Sequence, residues 1–61
     1  MKIVKKQNGL YNIGFYDIIR NDDIKLWCVY SHKERRYIHF DDTLRDCKKW
    51  LSKNVDVLEL R

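Results

Sequence analysis

The hydrophobic period changes once along this chain, and that change prescribes two kinds of structure in a fixed order. Up to Phe40 the apolar residues come in short aromatic and β-branched runs separated by turn residues; from Thr43 they recur every three to four positions. The first pattern belongs to β-strands, the second to an amphipathic helix.

Ile3-Val4, between lysines, reads as a short first strand ended by the turn dipeptide Asn8-Gly9. Leu10 to Ile19, rich in Tyr, Ile and Phe, reads as one long strand, and Asn21-Asp22-Asp23 as the next turn. Ile24 to Tyr30 alternates, with Ile24, Leu26, Cys28 and Tyr30 on one side and Lys25, Trp27 and Val29 on the other. After a polar turn at Ser31 to Arg35, the strand Arg36 to Phe40 sets Ile38 and Phe40 against Tyr37 and His39.

Asp41-Asp42-Thr43 supplies helix N-cap residues, and Thr43 with Asp46 approximates a capping box. Leu44, Cys47, Trp50 and Leu51 make the apolar stripe of the helix, and Asn54 reads as its stop. Val55 to Leu60 favours a last strand over a helical extension, because Val55 and Val57 are β-branched.

The expected architecture is a single α+β domain over residues 1–61. It comprises an antiparallel β-meander of three to four strands, one C-terminal amphipathic helix on one face, and a short last strand. Its expected core joins Ile13, Phe15, Leu26, Cys28, Ile38 and Phe40 to Leu44, Cys47, Trp50 and Leu51. The other face of the sheet stays bare, carrying Asn12, Gly14, Tyr16, Lys25, Trp27, Val29, Tyr37 and His39, with Arg35 at the rim.

A chain of 61 residues is near the lower limit for an independent core. A hydrophobic share of 44% beside 36% charged residues fits a folded chain rather than a disordered one. Neither a signal-type apolar segment nor a membrane-length run is present, which implies a cytoplasmic protein without membrane contact. In that compartment Cys28 and Cys47 are expected as buried free thiols. The net charge of +4 favours acidic partners weakly, since Asp22-Asp23 and Asp41-Asp42 interrupt the basic stretches.

Cys28, His32, His39 and Cys47 are all the Cys and His there are, and their spacing matches no zinc module. No Gly-rich phosphate loop occurs, and the acidic pairs sit where turns and caps already require Asp. The reading is a protein that is not an enzyme and uses neither cofactor nor metal. Tyr16, Lys25, Trp27, Arg35, Tyr37 and His39 form the candidate partner-binding set. Aromatics flanked by cations serve as anchors in protein interfaces, or stack on bases while the cations meet phosphates. Simple cross-strand pairing of Tyr16 and Trp27 is the plainer alternative. Arg45, Lys48, Lys49 and Lys53 are candidate phosphate contacts, or a solvated helix face.

Gly9-Leu10-Tyr11 leading into strands, then Phe40-Asp41-Asp42-Thr43-Leu44-Arg45-Asp46-Cys47-Lys48-Lys49-Trp50-Leu51, resembles the arm-type DNA-binding domain of phage and transposon integrases. The likeness covers the middle two-thirds of the chain. It carries an extra Asp in the aromatic-x-Thr spacing and Cys47 where a small residue is usual. The resemblance implies a three-stranded sheet backed by a helix, with the sheet entering the major groove. In general style the Lys-, Asn-, Ile- and Tyr-rich chain, lacking Ala and Pro, is similar to small accessory proteins of phages and mobile elements. That similarity implies a regulator or inhibitor of a larger host protein, such as a defence protein. The functional expectation is therefore a protein-binding module; nucleic-acid binding by the same face plus the basic helix is the alternative, and a homodimer the third possibility.

Overall fold

The computed structural model describes residues 3–59, with side chains as far as Asn54. Its first two hairpins depend on the only two glycines. β1 (Val4–Gln7) turns through Asn8-Gly9 into β2 (Leu10–Ile13), with Gly9 at φ 80. A Cβ on Gly9 would come within 3.3 Å of the Arg20 Cβ, and the Gly9 carbonyl accepts the Arg20 N–H at 2.8 Å. β2 doubles back through Gly14-Phe15 into β3 (Tyr16–Asn21), with Ile13 paired to Tyr16. A two-residue loop needs positive φ at its first position, and Gly14 supplies it at 59. The single long strand expected over Leu10–Ile19 is thus two strands. Apolar composition runs straight through the turn, and only Gly14 marks it. Phe15, expected in the core, is 56% exposed at the loop tip.

The next two turns share one design. Asn21 Oδ1 accepts the N–H groups of Asp23 (3.0 Å) and Ile24 (3.4 Å) and leads to β4 (Leu26–Ser31). Ser31 Oγ accepts the Glu34 N–H at 3.0 Å and leads to β5 (Arg36–Asp41). Each turn ends on a basic residue in the left-handed region, Lys25 at φ 56 and Arg35 at φ 58. The strands form one antiparallel sheet in the order β1-β2-β3-β4-β5, one more strand than the upper expectation.

The helix α1 (Leu44–Glu59) starts where the sequence proposes, with Thr43 Oγ1 accepting the Asp46 N–H at 3.1 Å. Thr43→Ala should cost about 1 kcal/mol. In a domain this small that lowers the melting temperature by about 4–8 °C, readable by circular dichroism. Asn54 does not stop the helix: its Nδ2 donates to the Trp50 carbonyl at 2.7 Å and α1 continues. Residues 55–59 are helical, correcting the last strand expected there; Leu60 of that strand lies outside the described residues.

Register sorts the side chains into two faces. Tyr11, Ile18, Val29 and His39 lie in one cross-strand row; Ile13, Tyr16, Ser31 and Arg36 form the row on one side of it, and Arg20, Trp27 and Asp41 that on the other. The helix covers this side. Ile13, Tyr16, Ile18, Val29, Cys47 and Leu51 are its buried core, with Ile3, Tyr11, Trp27, Ile38, Leu44 and Trp50 packed around them. The Cys47 thiol donates to the Trp27 carbonyl at 3.5 Å, and Lys48 Nζ sits 5.1 Å over the Tyr11 ring.

The expected inside and outside are therefore exchanged in β4. Trp27 and Val29 face the helix; Leu26, Cys28 and Tyr30 face away. In β5 a bulge between the Val29 and Tyr30 pairings changes the count, so Tyr37 and Phe40 share the outer face while His39 turns inward and Ile38 packs on the core. Phe40, expected inside, is 49% exposed. A bulge inserts one residue and resets alternation beyond it.

Candidate functional site

The side of the sheet away from α1 carries two rows. One is Gln7, Leu10, Ile19, Cys28 and Phe40; the other is Val4, Asn12, Asp17, Tyr30 and Tyr37. Asn21 and Leu26 follow at one end. Strand alternation puts these side chains there, and no described element lies over them.

Aromatic residues dominate the β4–β5 half. Tyr30 meets Tyr37 edge-on at 5.1 Å, and Tyr37 lies 6.1 Å from Phe40. On the other flank Tyr30 meets the His32 ring edge-on, also at 5.1 Å. Tyr37 is 50% exposed, so its ring is braced yet accessible. The His32 ring is oriented by Asp17, Nε2 to Oδ2 at 2.7 Å, and the other Asp17 oxygen accepts Asn12 Nδ2 at 2.8 Å. Asn12 Nδ2 also lies within bonding distance of the Gly14 and Tyr16 carbonyls, which ties this corner to the hairpin.

The β2–β3 half is concave. A depression of about 650 Å³ lies over Leu10, Asp17 and Ile19, with Gln7, Asn8 and Asp22 among its lining, and reaches round the end of the sheet to Arg20 and Trp27 of the helix side. Asp17 is the only Asp, Glu, Lys or Arg in the two rows, and its partners occupy it. A largely aromatic and aliphatic surface with one oriented polar corner can bury apolar groups; the Arg20 guanidinium at the rim of the depression is held by Asp22 at 3.1 Å.

Of the six residues expected in the partner-binding set, the structure puts only Tyr37 in this face. Tyr16 is buried under the helix at 1% exposure. Trp27 is in the helix-side packing, tilted against Tyr11 at 6.2 Å with the Arg20 guanidinium 5.8 Å from its ring centre. His39 stacks on Trp50 at 4.1 Å and 5° and meets Asp41 Oδ2 through Nε2 at 2.7 Å. Placing Tyr16, Trp27 and His39 on the bare face is thus corrected; the hairpin at Gly14 and the pairing of Ile18 with Val29 turn all three inward. Lys25 and Arg35 occupy turns at opposite ends of the sheet. Leu10, Ile19, Cys28, Tyr30 and Phe40 were missed. Gly14 before Phe15 was the available signal, as a two-residue loop with glycine first.

Among the helix cations, Lys48 covers Tyr11, while Lys49 and Lys53 line a depression of about 330 Å³ that also holds Asp41, Asp46 and Trp50. Arg45 is exposed. Carboxylates are interspersed with these lysines.

Cys28 and Cys47 are free thiols, and their side chains belong to opposite faces of the sheet. No group of three or more His, Cys, Asp or Glu side chains suited to a metal ion occurs among the described residues. Burial raises the Cys28 thiol above its usual range. Burial, with the Asp41 carboxylate nearby, pushes Cys47 up to about 11. A thiol harder to ionise when folded stabilises the fold below its unfolded value of about 9, and that stability is lost as pH rises towards 11. Two pH units correspond to roughly 2–3 kcal/mol. Urea midpoints should fall between pH 9 and 11, and Cys47→Ala should flatten that fall. An equal decline in the variant would assign it to other groups.

The fold and face together define a class: a small α+β domain whose meander is covered by a helix on one side and left apolar on the other. Comparison goes no further, since no protein-family model, curated protein or solved structure matches the chain. None of the helices among the described residues is long and apolar enough to cross a membrane.

Proposed function

We propose that this protein is a non-enzymatic binding module that docks a larger protein partner on its uncovered sheet face. Tyr37 and Phe40 are the leading anchors, and the depression over Leu10 and Ile19 receives an apolar projection from the partner. One observation carries this reading: on the side away from the helix, two adjacent rows set Val4, Leu10, Ile19, Cys28, Tyr30, Tyr37 and Phe40 beside only three polar residues, Gln7, Asn12 and Asp17, and contain no Lys or Arg. Interface cores are rich in aromatics and poor in charge, whereas a surface holding nucleic acid needs cations beside its aromatics. Regulation or inhibition of a host protein by a phage-type accessory protein is the setting this reading suits.

Affinity capture from nuclease-treated lysate, in parallel for wild type and Phe40→Glu, tests it. A stoichiometric protein should bind the wild type and be lost from the folded variant. Equal recovery by both would remove this face from consideration.

A further inference from the structure

The hairpin at Gly14-Phe15 fixes the direction of every backbone group in the sheet. Ile13 and Tyr16 close a two-residue loop and so exchange both of their N–H···O bonds. Antiparallel strands alternate, so the helix-side residues of β3 direct their backbone groups to β2 and the open-side residues direct theirs to β4. In β4 the helix-side residues, Val29 among them, then direct theirs to β5. His39, opposite Val29, points inward, which leaves Tyr37 and Phe40 pointing off the edge of the sheet. In a regular strand two such residues would be an even number apart. The bulge at Ile38 makes Tyr37 and Phe40 alike in both respects, side chains on the open face and backbone groups outward. β5 is the last strand in the order, and no backbone hydrogen bond outside the ladders reaches it among the described residues.

We propose that this edge pairs with the same edge of a second copy of the chain, antiparallel, with Tyr37 of each strand opposite Phe40 of the other. Each of these two opposed pairs exchanges both N–H···O bonds across the contact. The same register sets Arg36, which also meets Glu34 at 3.2 Å, opposite Asp41, which also holds His39 at 2.7 Å, on the helix side of both strands, so the contact joins opposite charges at its two ends. The other edge fails this test. By the same alternation the outward residue of β1 is Lys5, followed by Lys6, and self-pairing there brings lysine to lysine. Pairing β1 with β5 is heterologous and does not close, whereas β5 with β5 closes as a two-fold dimer. The bulge keeps the ladder short, so association is weak and concentration-dependent.

The two-fold axis keeps both open faces on one side and brings their Tyr37–Phe40 clusters together. This inference goes beyond the capture of a partner: the dimer stands if the open face binds nothing, and capture stands if the chain is a monomer.

Sedimentation velocity from about 10 µM to about 1 mM should show a monomer–dimer equilibrium for the wild type. Arg36→Asp alone and Asp41→Arg alone should each weaken it by about tenfold or more. Mixing the two variants should restore it, because both ends then join Asp to Arg. Amide exchange at Tyr37 and Phe40 in the wild type should slow as concentration rises. A wild type that stays monomeric with unprotected Tyr37 and Phe40 amides overturns the proposal. So does a dimer indifferent to both reversals, or folded variants whose mixture fails to associate.

Discussion

Leu51→Ala should leave the chain mostly unfolded at 25 °C. Leu51 is fully buried among Ile13, Tyr16, Ile18, Val29 and Cys47, and truncating a buried leucine costs about 2–5 kcal/mol. A 61-residue core has roughly 3–5 kcal/mol in total, so the loss is comparable to the whole stability. Trp27→Ala should act in the same direction, at about 3 kcal/mol, because the indole is packed against the core and carries both Tyr11 and Arg20. Phe40→Ser should cost about 1 kcal/mol or less, since its ring is half in solvent. Urea unfolding followed by far-ultraviolet circular dichroism ranks the three. If Phe40→Ser proved as damaging as Trp27→Ala, the helix would have to cover the opposite face.

Phe40→Glu carries the largest expected effect on binding. A carboxylate there lies beside Tyr37 and over the short Cys28 side chain, where a docked partner would strip its water. Loss of a central aromatic anchor typically costs 2–4 kcal/mol, so affinity for the captured partner should fall about 30- to 1000-fold by titration calorimetry. The double variant Lys49→Glu/Lys53→Glu should leave that affinity unchanged, as both residues lie on the helix across the sheet. A reversed result, with Phe40→Glu silent and the lysine variant weak and steeply salt-dependent, would transfer binding to the helix and to a polyanion.

The helix was legible because its signals are local. Thr43, Asp46 and the spacing of Leu44, Cys47, Trp50 and Leu51 lie within a few residues of one another, and the cap forms as they imply. Turns with dedicated side chains were equally plain at Asn8-Gly9, Asn21 and Ser31. The identity of the bare face was not. In β4 both alternating sets are apolar, Leu26, Cys28 and Tyr30 against Trp27 and Val29, so pattern alone could not choose between them. The helix terminus was misread for a related reason: Val55 and Val57 have strand propensity, and a helix already running through Asn54 overrides it.

Sequence by itself determined that an antiparallel meander precedes one helix, where that helix begins and which stripe of it is apolar, because period, caps and turn residues act over a few positions. Tertiary structure decided which side of the sheet that stripe covers and which residues remain outside. Parity in a sheet is inherited from strand to strand through pairing, so one tight turn at Gly14 and one inserted residue at Ile38 reassign side chains far along the chain.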